Sequence, residues 1–104
     1  NTAYYAFGTS KVLTNQGVLT KDGGFIGLGK TEKLSDNMNK EYFTQVDIST
    51  FTEIILGAKK AKLVTTHPAD SYKIEGANGR ADKLTILDAT KFWSVSKYCV
   101  IVVE

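Results

Sequence analysis

The chain closes on Tyr98-Cys99-Val100-Ile101-Val102-Val103, a run that is apolar throughout and rich in β-branched residues. Side chains alternate between the two faces of a strand, so a run without a polar position has no face to give to water. Such a strand belongs in the middle of a sheet that is covered on both sides. It is also the longest apolar stretch of the chain. A membrane span needs roughly 20 such residues, so the domain itself is not expected to insert in a membrane.

The rest of the pattern agrees with a sheet. From Glu41 onward Tyr42, Thr44, Val46 and Ile48 alternate with Phe43, Gln45 and Asp47. Glu53 to Leu56 is a short apolar run before Gly57, and Ala61 and Leu63 alternate with lysines. Tyr72 and Ile74 alternate with polar neighbours, Asn78-Gly79 carries a hairpin signal, and Leu84 to Leu87 follows it. These segments predict half-buried antiparallel strands at the spacing of a small barrel or sandwich. Near the start, Ala3 to Phe7 predicts a strand, and Thr9 caps a helix over Ser10 to Gln16 that Gly17 closes. Ser35 to Lys40 predicts a loop, and Asp88 opens a single helical turn that carries Phe92 and Trp93. The expected fold class is mainly β: a small antiparallel sheet, barrel-like or sandwich, with one or two short helices.

Composition sets the remaining bounds. A chain of 104 residues, 42% hydrophobic and 23% charged with one proline, builds one core and one domain over residues 1–104. That excludes a disordered chain, a collagen-like repeat and a disulfide-dense miniprotein. Thirteen Lys and Arg against eleven Asp and Glu leave +2, with both signs scattered. No basic block points to nucleic acid. Cys99 is the only cysteine, which leaves cytosol and cell envelope both open. Its apolar surroundings predict a buried, inert thiol. The chain begins at Asn1 without Met and reads as a processed product or an excised segment.

The sharpest motif match is Gly24-Phe-Ile-Gly-Leu-Gly29-Lys30-Thr31, which fits the phosphate-cradling P-loop pattern. Leu84 to Asp88 even resembles the strand that ends in a Mg²⁺-binding carboxylate. The context opposes it. Val18 to Lys21 is too short and polar for the preceding strand, and Thr31 to Lys40 lacks the amphipathic period of the following helix. A glycine-bent strand is the better reading, and nucleotide binding is the unfavoured alternative. His67 is the only histidine, so no histidine metal cluster is expected, and His67-Pro68 reads as a turn. The carboxylates are too scattered to nominate an acid and base pair. No catalytic residue and no cofactor is expected.

Aromatic residues divide between core and contact surface. Trp93 and the tyrosines can stack on sugars or bases when exposed, although in a small chain they serve first as core. In Gly23 to Gly29, Phe25, Ile26 and Leu28 are the candidate partner contacts, carried on a projecting glycine-rich turn. Trp93 is the second candidate. It sits beside Phe92 in a connecting turn, where one ring can face inward and the other outward.

Five segments carry a family resemblance: Tyr4–Leu13 (YYAFGTSKVL), Gly23–Thr31 (GGFIGLGKT), Glu41–Ile48 (EYFTQVDI), Lys59–Pro68 (KKAKLVTTHP) and Lys91–Val103 (KFWSVSKYCVIVV). Together they resemble the C-terminal globular domain of envelope lipoproteins from Gram-negative gut anaerobes. Some members of that family carry the label of collagen-binding adhesin glycoprotein. The resemblance implies a lipid-anchored N-terminus and a long coiled coil ahead of the domain. It also implies an outer-membrane anchorage facing periplasm or cell surface. A protein or glycan partner, such as a host matrix collagen, follows as an expectation, with no catalytic residues implied. A cap that sets the oligomeric state of the stalk is the other non-catalytic expectation.

Overall fold

The structure is a computed structural model and describes residues 1–20 and 34–104. The glycine-rich match Gly24–Thr31, with Phe25, Ile26 and Leu28, lies outside the described residues. Strand β1 (Thr2–Gly8) leads into helix α1 (Ser10–Asn15). Then follow β2 (Thr44–Asp47), β3 (Glu53–Ala58), β4 (Ala61–Leu63), β5 (Tyr72–Glu75) and β6 (Ala81–Ile86). A single helical turn, α2 (Ala89–Phe92), precedes β7 (Tyr98–Val103). Among the described residues no helix is long and apolar enough to cross a membrane.

The strands form two sheets, ordered β2-β1-β7-β4 and β3-β6-β5. The fold is mainly β, as the alternation predicts. β7 lies between β1 and β4, and its periodicity shows why. Cys99 and Ile101 face the second sheet, where Ile54, Leu56, Leu84, Ile86, Phe92 and Trp93 complete the larger core. Val100 and Val102 face the other way, onto Leu13, Val18 and Leu19. One strand therefore joins two apolar layers, and that is what a run without polar positions requires.

One pairing departs from the antiparallel expectation. β1 and β7 run parallel, with Tyr4 opposite Tyr98 and Gly8 opposite Val102. Parallel neighbours need a long crossover, and here the connection is every intervening element of the domain. Alternation within a strand carries no record of its neighbour's direction, so this pairing is invisible to it. The other contacts are antiparallel.

The helix ends follow local chemistry. The Thr9 hydroxyl accepts the Val12 N–H at 3.2 Å, and Gly17 takes φ +79° immediately after the C-cap, a conformation glycine adopts without steric cost. The helix stops one residue before the expected end: Gln16 is its C-cap, and its carbonyl accepts from the Asn39 amide at 3.0 Å. The alternating segment from Tyr42 becomes a strand only at Thr44, because Lys40–Tyr42 forms a 3₁₀ turn capped by Asn39. At the second helical turn the Asp88 carboxylate accepts the Lys91 N–H at 3.1 Å. The residue that resembled a metal-binding aspartate is thus a helix cap.

Cys99 is fully buried and free, and burial pushes its thiol up to about 12, against a small opposing effect from the Thr65 hydroxyl. It is expected to resist a thiol reagent in the native protein and to react once denaturant opens the fold. A colorimetric thiol assay with and without guanidinium checks this. Labelling at the native-state rate of a small free thiol would contradict the placement.

Candidate functional site

Trp93, named as a partner contact, is a core residue: it is 1% exposed and Phe92 is 0% exposed. The expectation that one of the pair faces outward is corrected. A single helical turn sits over the open end of the larger core, and both rings turn down into it. Phe92 and Trp93 meet edge to face at 4.9 Å. Among the described residues the Trp93 indole N–H has no hydrogen-bond partner.

His67, in the loop before the Ala69–Ser71 turn, belongs to the same cluster. It is 8% exposed, and its ring stacks on Phe92 at 4.1 Å. Its Nδ1 lies 2.7 Å from the Phe92 carbonyl oxygen, which only accepts, so Nδ1 carries the proton and donates. Nε2 then accepts from the Thr65 hydroxyl at 2.8 Å. The same hydroxyl oxygen accepts the Val100 N–H at 3.0 Å. Just past the end of β4, the Thr65 side chain thereby continues the hydrogen bonding of the β7 edge. This constellation of Cys99, Thr65 and His67 ties the loop after β4 to β7 and to α2. The thiol is protonated, so it offers no thiolate nucleophile.

Burial holds the His67 pKa below its ordinary value of 6.5, opposed by its bond to the Phe92 carbonyl. The folded protein therefore keeps a neutral ring at pH values where the unfolded chain takes up a proton. Stability from this source is complete above 6.5 and is lost as pH falls from there towards the folded pKa. The melting temperature is expected to drop over that window in the wild type and to stay flatter in His67→Gln. Asp47, Asp70 and Glu75 have lowered pKa values, chiefly from hydrogen bonds donated by Ser49, Lys91 and Thr85, respectively. Their effect is lost below the ordinary carboxylate values of 3.8 and 4.5, a separate and more acidic window. An identical decline in His67→Gln above pH 5 or so would overturn the assignment.

The surface feature best suited to a partner lies at one end of the sandwich. The β3–β4 turn carries Lys59 and Lys60, and the β5–β6 turn carries Arg80. Two adjoining depressions of about 640 and 620 Å³ share these three residues. Small residues such as Ala61 and Gly79 line them together with Leu56, Ile74 and Val103.

The β5–β6 turn is shaped by Asn78 at φ 56° and Gly79 at φ 77°, with the Arg80 N–H donating to the Ala77 carbonyl at 3.1 Å. This is the Asn-Gly turn that the sequence predicts. Below it the chain doubles back tightly. A Cβ at Gly76 would lie 2.6 Å from the Arg80 carbonyl oxygen and 2.8 Å from an Asp82 carboxylate oxygen, so only glycine fits. On the facing strand β3 the register shifts between Ile55 and Ala58, a bulge that turns the strand into the Lys59-Lys60 turn.

The charges at this end are unevenly matched. Arg80 Nε donates to Asp82 at 3.0 Å. Glu75 accepts from the Thr85 hydroxyl at 2.7 Å and pairs with Lys73 at 3.4 Å and Lys83 at 3.9 Å. Its carboxylate is therefore satisfied on the outer face of the three-stranded sheet. Lys59 and Lys60 are exposed, and no ion pair engages them among the described residues. Among the described residues no group of three or more His, Cys, Asp or Glu is placed to hold a metal ion.

Sequence reasoning did not single out Lys59, Lys60 or Arg80. Lys59 and Lys60 follow Gly57 at the end of β3 and Arg80 follows the Asn78-Gly79 turn, each a local signal. That the two turns meet is a tertiary fact. No protein-family model, curated protein or solved structure matches this chain.

Proposed function

We propose that this chain is a non-catalytic interaction domain of a cell-envelope lipoprotein, adhesin-like in role, that binds a protein or glycan partner. The observation that carries the reading is the cation-rimmed cleft between the β3–β4 and β5–β6 turns. It is held by a fold whose interior is mostly apolar, with Thr65 and His67 hydrogen-bonded inside it. Rigid strands that present variable turns at one end are a common arrangement for recognition. The resemblance over Tyr4 to Val103 supports the envelope setting, the lipid anchor and a matrix partner such as collagen. The chemistry of the buried cluster supports a structural role for Cys99 and His67.

The test is capture of defined partners by the full-length protein: immobilised collagen, acidic and neutral glycans, and envelope extract. Retention of one of these, lost on competition with the free 104-residue domain, is the expected result. If the domain fails to compete, binding lies elsewhere in the protein. Light scattering on the domain and on the full-length protein addresses the stalk-cap reading. A calorimetric titration with Mg-ATP addresses nucleotide binding, and heat from a stoichiometric site would overturn the proposal.

A further inference from the structure

We infer that the end cleft is a binding site for an acidic polysaccharide, one that carries sulfate or carboxylate groups on successive sugars. The inference deepens the interaction reading above and rests on it. Its first support is charge placement. The whole chain has a formal charge of only +2, yet Lys59, Lys60 and Arg80 all border both depressions. Glu75 borders one depression, and Glu104, the last residue of the 104-residue chain with an α-carboxylate besides its side chain, borders the other. Glu75 is already engaged by Thr85, Lys73 and Lys83. The Arg80 guanidinium gives one N–H to Asp82 and keeps its others for a ligand. Two ammonium groups and most of a guanidinium thus face one continuous concavity.

The second support is what the main chain withholds. The N–H groups of Lys59 and Lys60 both donate to the Glu104 carbonyl, at 3.1 and 3.2 Å. The Glu104 N–H returns to the Lys60 carbonyl at 3.0 Å, and the Arg80 N–H donates to the Ala77 carbonyl. A peptide partner draws affinity from main-chain pairing, and at the two turns these donors are taken, which leaves such pairing to the outer edges of β3, β4 and β5. What the cleft offers is side-chain cations on long stems beside a lining that mixes alanine and glycine with Leu56, Ile74 and Val103. That suits anions spaced along a chain that brings no backbone amides of its own. Lysine acts on sulfate or carboxylate as a mobile point charge, and arginine adds a planar fork. Two depressions that share their cations give room for more than one sugar.

The experiment uses the 104-residue chain with a chondroitin-sulfate hexasaccharide as probe, followed by calorimetry and by amide chemical shifts. Binding is expected, with shifts centred on the Lys59-Lys60 and Asn78–Arg80 turns. Raising NaCl from about 50 to about 500 mM is expected to weaken it by about tenfold or more, because exposed charges are screened. The triple variant Lys59→Ser, Lys60→Ser, Arg80→Ser is expected to lose at least about tenfold in affinity. All three residues are surface groups, so its melting temperature should match the wild type. Equal binding by the triple variant, or by a neutral hexasaccharide without sulfate or carboxylate, would overturn the proposal. A hexaglutamate peptide that binds as tightly as the sulfated sugar would overturn it in favour of an acidic protein partner. If the full-length protein captures a partner equally well with and without the three cations, the cleft assignment falls and the interaction reading stands.

Discussion

Val102→Asp is expected to leave the domain unfolded at 25 °C. Val102 is 1% exposed and packs with Leu13, Val18, Leu19 and Val100 beneath α1. Among the described residues the buried side chains of that layer are aliphatic, with Leu34, Tyr42, Phe43 and Val64 half-buried around them, and it includes no cation to pair a carboxylate. An unpaired buried charge costs several kcal/mol, and the lost valine burial adds about 1.5 kcal/mol or more. Domains of this size hold about 5–15 kcal/mol in total, so the substitution removes most or all of it. Far-UV circular dichroism and a urea titration read the outcome. Lys11→Asp, on the exposed side of α1, is the control and should shift stability by about half a kcal/mol at most. A native spectrum with an unchanged urea midpoint for Val102→Asp would mean that β7 is not covered on that face.

The same run of residues shows how much of this fold is legible in the sequence. Tyr98 to Val103 has no polar position, so both faces had to be covered, and each face proves to have its own apolar layer. Thr9, Gly17, Asp88 and Asn78-Gly79 act over three or four residues, and they do in the structure what local chemistry says they should. What escaped the sequence depends on distant partners. The parallel alignment of β1 with β7 leaves no mark on the alternation of either strand. Lys59 and Arg80 form one cleft only because the β3–β4 and β5–β6 turns emerge at the same end. His67 looked like a turn residue because Pro68 follows it. Its actual partners, Thr65, Phe92 and Trp93, are set by how the loop after β4 folds back under α2.

Trp93→Ala should be the most damaging truncation of an uncharged side chain in the domain. Trp93 is 1% exposed and lies against Phe92 and His67, at ring distances of 4.9 and 5.8 Å. Removing a buried tryptophan side chain costs about 3–5 kcal/mol, because lost transfer energy and the remaining cavity add together. The loss also loosens the contact that holds His67 against Phe92, so the pH dependence assigned to His67 should weaken with it. Trp93→Phe separates size from polarity. It keeps an aromatic ring in the site and removes the indole N–H, which has no partner among the described residues. An unsatisfied buried donor costs about 1–3 kcal/mol, so its removal offsets part of the lost packing. The expected order of stability in urea is wild type, then Trp93→Phe, then Trp93→Ala well below. Should Trp93→Ala instead melt with the wild type, the ring would lie outside the core and return as a candidate contact for a partner.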